Sequence, residues 1–230
     1  MDVLRVRNVT KSFRSLPVLQ DVSFEVKEDE IVAVIGPSGC GKSTLLNAIS
    51  GLVSPDRGIV EADRECIAYV FQDNRLLPWE TVYDNVRLVR NVENREEILG
   101  LIEAVGLKGF EGFYPSQLSG GMLKRCGIAR AFYYPSRLLL MDEPFQGLDY
   151  CLRQEMLSTL LRVWETRRQG VLFITHEIDE ALTVASRILV FSRRPARVIE
   201  EISLSGREGR HVDTEELSEM RARIISLITV

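Results

Sequence analysis

One short segment constrains the fold of this chain more than any other. The apolar run Ile31–Ile35 is rich in β-branched residues and passes directly into Gly36-Pro-Ser-Gly-Cys-Gly-Lys-Ser43. A continuous apolar run of this kind is typical of a strand that is buried on both faces of a sheet. Helical spacing follows over Ser43–Ile49. Strand, glycine loop and helix in this order predict a phosphate-binding loop in an α/β fold.

The composition of the glycine loop suits a triphosphate. Gly36 and Gly41 lack a Cβ, so backbone N–H groups can turn inward and approach phosphate oxygens, next to the partial positive charge of the helix start. We expect Lys42 to reach the β- and γ-phosphates and the Ser43 hydroxyl to ligate Mg²⁺. An ordinary glycine turn is the alternative, which the flanking strand and helix disfavour. The predicted nucleotide-binding residues of the loop are Gly36, Pro37, Ser38, Gly39, Cys40, Gly41, Lys42, Ser43 and Thr44.

Two adjacent acids follow a second apolar run. Leu138–Met141 delivers Asp142 and Glu143 to the carboxyl end of a predicted strand, the edge at which α/β sheets bind ligands. Successive residues of an extended chain point in different directions, so the two acids can divide their roles. We expect Asp142 to hold Mg²⁺, directly or through water, and Glu143 to act on the attacking water as general base. Acids after a strand are ordinarily solvated loop residues, but the phosphate loop upstream favours the functional interpretation.

The segment Leu118-Ser119-Gly120-Gly121-Met122 predicts a second helix start that can bind an anion. Ser119 is a favourable N-cap, and the two glycines leave the first amide groups exposed. The basic residues Lys124 and Arg125 follow on the predicted helix 122–134. One ATP has a single triphosphate, which the first loop already surrounds. The second helix start is therefore either structural or meant for an ATP that another molecule holds.

The remaining pattern predicts an α/β chain with a helical insertion. Apolar and polar residues alternate over the first 30 residues, as in strands with one solvated face. Residues 75–135 have mostly helical spacing. Beyond them, short apolar strands alternate with helices, which predicts a mostly parallel sheet. These predicted strands are 138–141, 171–175 and 187–191, and the predicted helices are 150–168 and 177–185.

The end of the chain predicts one more amphipathic helix. Asp213 and Glu216 are placed as a capping pair before it. Four apolar residues then recur at helical spacing and form one face. These residues are Leu217, Met220, Ile224 and Ile228.

Charge and hydropathy exclude several classes of partner. The net charge of −4 and the pI near 5.4 argue against a broad basic face for nucleic acid, so we expect no nucleic-acid partner. The apolar runs are far shorter than the roughly 18 residues that span a bilayer, and the N-terminus has no apolar signal core. We therefore expect a cytosolic chain whose membrane role, if any, comes through a partner.

In combination, these motifs closely resemble the ATP-binding subunits of ABC transporters, over essentially the full length of the chain. Lys42 and Asp142 match the Walker A and Walker B motifs, and Leu118–Met122 matches the signature motif. Four further positions take their interpretation from this resemblance. They are the catalytic glutamate Glu143, the Q-loop residue Gln72, the D-loop residue Asp149 and the switch histidine His176. Phe13 falls at the aromatic position that stacks on adenine.

The resemblance implies a fold and a division of the chain. The implied fold is an α/β P-loop NTPase core, a mostly parallel sheet flanked by helices, with an N-terminal antiparallel β subdomain and an inserted α-helical signature subdomain. The implied organisation is one ABC ATPase domain over 1–230. Its RecA-like core covers about 1–74 and 136–230, and its helical subdomain about 75–135.

The resemblance also implies an ATPase that works as a dimer with ATP and Mg²⁺. Two chains would pair head to tail and trap ATP between the phosphate loop of one and the signature motif of the other. The implied catalytic residues are Glu143, His176 and Gln72, the implied metal ligands are Ser43, Gln72 and Asp142, and Asp149 lies at the dimer seam. The implied partners are transmembrane permease subunits and, indirectly, a periplasmic or extracellular substrate-binding protein. We expect the chain in the cytoplasm, peripheral on the inner face of the cell membrane.

Three local strings resemble the nitrate, sulfonate and taurine uptake branch, which implies import of a small anion. They are Asn-Arg-Leu-Leu-Pro-Trp79, Tyr-Pro-Ser-Gln-Leu-Ser-Gly-Gly-Met122 and Ser-Arg-Arg-Pro-Ala-Arg197. A separate-chain exporter or lipoprotein-release ATPase shares every motif and stays an alternative, ahead of a soluble ABC-type ATPase without a transport role. The chain departs from the family pattern at Phe13, at Met122 and at Gln146-Gly147, where Tyr, Gln and Gly-Ala are more frequent.

Overall fold

The alternating pattern at the start of the chain forms an antiparallel sheet. In the computed structural model, which describes residues 1–204 and 215–229, strand β1 (Asp2–Phe13) pairs with β2 (Leu16–Lys27) on one side and with β4 (Arg57–Ala62) on the other. Leu4, Val6 and Val9 of β1 are buried, while the intervening residues face outward or lie partly exposed. One face of this sheet therefore packs on the rest of the molecule.

The apolar runs form a second, larger sheet. Within residues 1–204 its order is β5-β6-β7-β3-β8-β9, and the first five strands are parallel. Strand β9 pairs antiparallel with β8 at the edge. The strands are β3 (Ile31–Ile35), β5 (Ile67–Val70), β6 (Leu138–Asp142), β7 (Gly170–Ile174), β8 (Arg187–Phe191) and β9 (Val198–Ser203). The predicted fold class, a mostly parallel sheet with an N-terminal antiparallel sheet, is confirmed.

Strand β3 lies between β7 and β8 and divides the hydrophobic core into two layers. Val32 and Val34 face one layer, which contains the antiparallel sheet and helix α1 (Lys42–Ile49). Ile31, Ala33 and Ile35 face the other layer, where most of the remaining helices pack. Because alternate residues of a strand point to opposite faces, an uninterrupted apolar run satisfies both layers at once.

The other helices follow in chain order. They are α2 (Val82–Arg87), α3 (Arg95–Ala104), α4 (Gly120–Tyr133), α5 (Tyr150–Arg167), α6 (Ile178–Val184) and α7 (Glu215–Thr229). Helices α2, α3 and α4 pack against one another, and the buried face of α3 consists of Ile98, Leu101 and Ile102. Over the described residues, no helix combines the length and the apolar character needed to cross a membrane.

Helix α7 bears out the apolar face that the sequence predicts. Leu217 and Ile224 are buried, and Met220 and Ile228 pack against the same core. The predicted cap before this helix lies outside the described residues, since Asp213 falls between 204 and 215 and the side chain of Glu216 is not described.

Candidate functional site

The predicted site residues meet at one edge of the large sheet. The phosphate loop follows β3, Asp142 ends β6, and His176 follows β7. Gln72 comes shortly after β5, the neighbour of β6. Because these strands are parallel, their carboxyl ends open at the same edge, where α/β folds bind ligands.

The glycines that bound the phosphate loop are required by close packing. A Cβ on Gly36 would lie 2.8 Å from the Cβ of Phe191, at the end of β8. A Cβ on Gly41 would lie 2.8 Å from Cγ1 of Val18, and Gly41 has a φ of +128°, which L side chains rarely adopt. The loop is therefore held tightly between β2 and β8. Between these glycines, Pro37, Ser38 and Gly39 form the outer turn.

Lys42 is folded back over its own loop. Its side chain is buried, with 5% of the residue exposed, and Nζ donates to the carbonyl oxygens of Gly36 at 2.8 Å and Pro37 at 3.1 Å. Both acceptors are uncharged, so these bonds do not neutralise the ammonium group. A buried cation with only neutral acceptors favours an incoming anion.

Ser43 and Asp142 place two oxygen atoms that can ligate a metal ion side by side. The Ser43 hydroxyl donates to Oδ1 of Asp142 at 3.1 Å. Burial raises the pKa of Asp142, while the hydrogen bond from Ser43 and the charge of Lys42 act in the opposite direction. A hydroxyl and a carboxylate are ligands that Mg²⁺ prefers, and a cation beside them would relieve the cost of keeping the carboxylate ionised. These residues therefore fit a magnesium ion.

Glu143 and His176 form a pair beside the loop. Oε2 of Glu143 lies 3.0 Å from Nδ1 of His176, and the backbone N–H of Glu143 donates to the carbonyl of Ile174 at 3.0 Å. Glu143 has a φ of +47°, in the left-handed region that few non-glycine residues occupy. Such backbone strain is typical of functional sites, and here it accompanies a carboxylate that faces the phosphate loop across one cavity.

An open cavity of about 310 Å³ lies against this edge. Lys42, Ser43, Thr44 and Glu143 line its inner part. Phe13, 46% exposed at the end of β1, lines its outer part, and Nζ of Lys11 lies 5.4 Å from the centre of its ring. The cavity is thus polar and cationic at the loop and aromatic at the rim, which suits a nucleotide with its phosphates inward and its base outward.

Cys40 lies inside the loop but is an unreactive thiol. It is 2% exposed, and burial raises the pKa of its thiol. The thiolate, which is the reactive form, is therefore disfavoured. Cys40 fills space behind the loop next to Gly36.

Gln72 is hydrogen-bonded to Gln146, a residue that stands out in the sequence only as a departure from the family pattern. Its Nε2 donates to Oε1 of Gln146 at 2.7 Å. The backbone carbonyl of Gln146 in turn accepts from Nζ of Lys124 on α4. Arg130, also on α4, donates to the carbonyls of Asn74 at 3.3 Å and Arg75 at 3.0 Å. Helix α4 is thereby tied to the segments that follow Gln72 and Glu143.

The Ser-Gly-Gly segment begins α4, and Ser119 Oγ accepts from the N–H of Met122 at 3.3 Å. Leu118 and Met122 pack against the core. A Cβ on Gly121 would lie 2.8 Å from Cδ2 of Leu152, so a larger residue here would have to displace the end of that side chain. Apart from its two chain neighbours and the nearby backbone of α4, no described atom lies within 4 Å of a Cβ placed on Gly120, which also lacks a positive φ. Ser119 and Gly120 are exposed.

Asp149 begins helix α5. Its Oδ1 accepts from the N–H of Leu152 at 3.0 Å, and the residue is exposed. Because Leu152 also contacts the start of α4 at Gly121, Asp149 lies close to the signature segment. Asp149 and Ser119 thus belong to one exposed surface.

Two residues of the site escaped prediction. Gln146 contacts Gln72, and the guanidinium of Arg194 donates to the carbonyl of Gly39 in the phosphate loop. Both contacts join segments that are distant in the sequence. The only signal was the unusual Gln at 146 and the basic string around 194, and neither identifies its partner.

The sequence of this chain matches a known protein family and is similar to proteins of that family. The sequence profile of the family described as ABC transporter matches residues 19–146. The taurine import ATP-binding protein TauB of Yersinia pestis bv. Antiqua is 40% identical over 216 residues, which cover 88% of this chain and 85% of that protein. The aliphatic sulfonates import ATP-binding protein SsuB of Bacillus cereus is 36% identical over 226 residues, covering 94% and 90%.

Solved structures agree with these sequence relatives. The dimeric structure of a post-hydrolysis state of an ATP-binding cassette, bound to ADP and Pi, is similar with a TM-score of 0.78 and 30% identity. It covers 88% of this chain and 99% of that chain. An ATP-binding subunit of an ABC transporter is similar with a TM-score of 0.79 and 26% identity, covering 97% and 99%.

Proposed function

The chain belongs to the ABC transporter family, as the sequence predicts, and is an ATP-binding ATPase subunit; from this premise we propose that it energises import through separate transmembrane permease subunits. The proposed cargo is a small anion such as nitrate, a sulfonate or taurine. The observation that carries the proposal is the assembly of Lys42, Ser43 and Asp142 at one sheet edge, with Glu143 and His176 beside them.

ATP binding begins with an exchange of partners at Lys42. Its ammonium now bonds two neutral carbonyls of the loop, and phosphate oxygens are stronger, charged acceptors. We propose that Lys42 turns to the β- and γ-phosphates while the loop amides and the start of α1 surround them. Phe13 would stack on the adenine at the rim of the same cavity.

Ser43 and Asp142 are the proposed ligands of Mg²⁺, with Gln72 as a third. Mg²⁺ held by these residues would supply positive charge that offsets the negative charge of the β- and γ-phosphates. For Gln72 to join, its side chain has to leave Gln146, to which it is bonded in this conformation. We therefore propose that Gln72 couples nucleotide binding to the conformation of the neighbouring segments.

Glu143 is the proposed general base. Its Oε2 would take the proton of the attacking water, and Nδ1 of His176 would donate to that carboxylate and orient it. We propose that His176 also contacts the γ-phosphate. The backbone bond from Glu143 to Ile174 holds the main chain of Glu143 at the ends of β6 and β7, and the contact with His176 orients its carboxylate.

The signature segment is proposed to act on the ATP of a second copy. Gly120 has no packing reason in this chain, and a glycine there leaves the first amides of α4 open to an external anion. A head-to-tail homodimer formed on ATP binding would supply that anion and place Asp149 at its seam. In this arrangement 1–230 is one ABC ATPase domain. Helices α2–α4 form the proposed helical subdomain of about 75–135, inserted in a core of about 1–74 and 136–230.

The permease subunits would hold the chain at the inner face of the cell membrane, and a substrate-binding protein outside would act through them. The two relatives are a taurine and an aliphatic sulfonates import protein, which supports import over the alternative of a separate-chain exporter or lipoprotein-release ATPase.

Co-purification followed by a stimulated-ATPase assay tests the proposal. The chain is purified with its membrane subunits, reconstituted in vesicles, and supplied with the matching binding protein and candidate oxyanions or sulfonates. We expect one of these anions to raise ATP turnover and to accumulate on the side of the membrane where the chain lies. Turnover that responds to none of them, or cargo that moves away from that side, would overturn the proposed direction and substrate class.

A further inference from the structure

Arg194 reaches the phosphate loop from the turn between β8 and β9. Its Nε donates to the carbonyl oxygen of Gly39 at 3.1 Å, and its Nη2 donates to the same oxygen at 2.5 Å. Gly39 lies at the outer turn of the loop with a φ of +71°. Two donors on one carbonyl fix the orientation of this peptide group more firmly than a single bond can.

The turn that carries Arg194 is itself anchored. The N–H of Ala196 donates to the carbonyl of Val18 at 2.8 Å, and the N–H of Gln20 donates to the carbonyl of Ala196 at 2.9 Å. Ala196 is fully buried against β2, the strand whose Val18 also contacts Gly41. Arg194 therefore connects the loop to the same rigid strand that packs behind it.

Arg194 also belongs to the nucleotide cavity. It lines the cavity together with Phe13, Lys42 and Glu143, so its charge faces the space where a triphosphate would lie. The Gly39 carbonyl engages Nε and Nη2, and Nη1 takes no part in that contact. A guanidinium that already orders the loop can thus turn a further N–H group to an oxyanion without giving up its contact.

We propose that Arg194 is a nucleotide-binding and loop-positioning residue, which fixes the Gly39 peptide and adds a second cation beside Lys42 at the cavity. This inference rests on the proposed ATP site. Arg194 acts before the chemical step, because it lies on the loop side of the cavity and not in the Glu143–His176 pair. Its removal therefore weakens nucleotide binding and leaves the hydrolysis of bound ATP intact.

The test compares R194Q and R194K with a matched control, R197Q, which removes the same charge from the same turn. Arg197 contacts Gln20 through Nε at 3.2 Å and makes no contact with Gly39 among the described hydrogen bonds. Trinitrophenyl-ATP and unlabelled ATP serve as probes for the dissociation constant of the full chain. Turnover at saturating ATP is measured in the complex with the membrane subunits.

We expect R194Q to weaken ATP binding about tenfold, as the loss of one charge-assisted hydrogen bond does, and R197Q to weaken it less than about twofold. R194K retains the charge but loses the two-donor geometry, so an intermediate affinity is expected. Maximal turnover should stay within about twofold in every variant. The melting temperature without nucleotide should match that of the wild type, which separates this role from a structural one.

Wild-type affinity in R194Q, equal losses in R194Q and R197Q, or a fall in maximal turnover at unchanged affinity would each overturn the assignment. The wild-type chain provides the second comparison. If it neither binds nor hydrolyses ATP, the proposed function fails, whereas a wild type that does both beside an unaffected R194Q defeats only the role of Arg194.

Discussion

The two glycine-containing helix starts of this molecule differ in what surrounds their glycines. At the start of α1, side chains on Gly36 and Gly41 would collide with Phe191 and Val18, and Lys42 is buried. At the start of α4, a Cβ on Gly120 would lie more than 4 Å from every described atom outside its chain neighbours and the nearby helix backbone, and Ser119 and Gly120 are exposed. One glycine loop is enclosed by its own chain, and the other is open.

This difference separates two kinds of glycine. A glycine that packing demands has its explanation inside the chain, and its substitution disturbs the fold. A glycine that packing does not demand, on a helix start with free amides, leaves room for a ligand or a partner to approach those amides. The phosphate loop is therefore enclosed within one copy, and we propose that the signature segment acts only when a second copy brings its ATP.

The largest effect is expected at Glu143, the proposed general base, which would act after the two helix starts have enclosed one ATP between them. Glu143→Gln removes the general base and keeps the size of the side chain, so ATP should bind but hydrolysis should fall at least about hundredfold. The chain should then stall as a closed dimer in ATP. Size-exclusion chromatography with and without ATP, together with a turnover assay, measures both. A monomeric variant with unimpaired turnover would contradict the assignment.

The next largest effect tests the difference between the helix starts of α1 and α4. Gly120→Ala places a methyl group where the chain is open, so the melting temperature and the ATP affinity of the isolated chain should be unchanged or slightly higher. Turnover of the assembled complex should fall by roughly tenfold to hundredfold, because in the proposed dimer the methyl group would face the partner's phosphate.

Gly121→Ala is the matched control for that variant. Its Cβ would lie 2.8 Å from Cδ2 of Leu152, a side-chain end that has to shift, so this substitution should lower the melting temperature slightly relative to Gly120→Ala and should also lower turnover. If Gly120→Ala instead destabilises the isolated chain as much as Gly121→Ala does, the open helix start has a structural role.

A smaller effect concerns the charge inside the enclosed site. Burial raises the pKa of Asp142, so the ionised form is disfavoured in the nucleotide-free fold, and stability is lost as pH rises through that raised pKa. Asp142→Asn should therefore raise the melting temperature of the nucleotide-free chain at neutral pH by about 1–3 °C. Thermal scans from acidic to neutral pH, with and without Mg²⁺ and ATP, measure this difference.

The same scans contain the control. Mg²⁺ with ATP should stabilise the wild type more at neutral than at acidic pH, since the ion needs the ionised carboxylate. Compared with ATP alone, Mg²⁺ should add little further stability to Asp142→Asn. Equal stabilisation of both proteins by Mg²⁺ would remove Asp142 from the metal site.

The smallest effect concerns the link between the two regions. Gln146→Ala removes the acceptor that holds Gln72, and an exposed bond of this kind contributes at most about 1 kcal/mol. The Mg²⁺ concentration for half-maximal turnover should fall by about twofold to fourfold, because Gln72 no longer has to leave a partner. Gln146→Glu keeps an acceptor whose charge strengthens the bond from Gln72, so the Mg²⁺ concentration for half-maximal turnover should not fall. A rise in that concentration would show that Gln146 supports the metal site instead of competing with it.

The site around the phosphate loop could be predicted because its residues lie in short, contiguous sequence patterns. Ile31–Ile35 and the glycine loop are adjacent in sequence, and each strand end carries its functional residue with it. Strand β4 escaped prediction because most of its residues are exposed and show no apolar alternation. The contacts Gln72–Gln146 and Arg194–Gly39 join side chains and backbone across 74 and 155 positions, and no pattern along the chain encodes such pairs.

The central claim, that the signature segment of one copy faces the phosphate loop of another, can be tested by cross-linking. Two variants in a Glu143→Gln, Cys151→Ser background carry Ser119→Cys or Ser38→Cys, and the second change in the background removes the exposed cysteine. In ATP, a mixture of the two should oxidise to a covalent dimer that contains one of each, while neither variant alone should form one. Covalent dimers from a single variant, or none from the mixture in ATP, would contradict the head-to-tail arrangement.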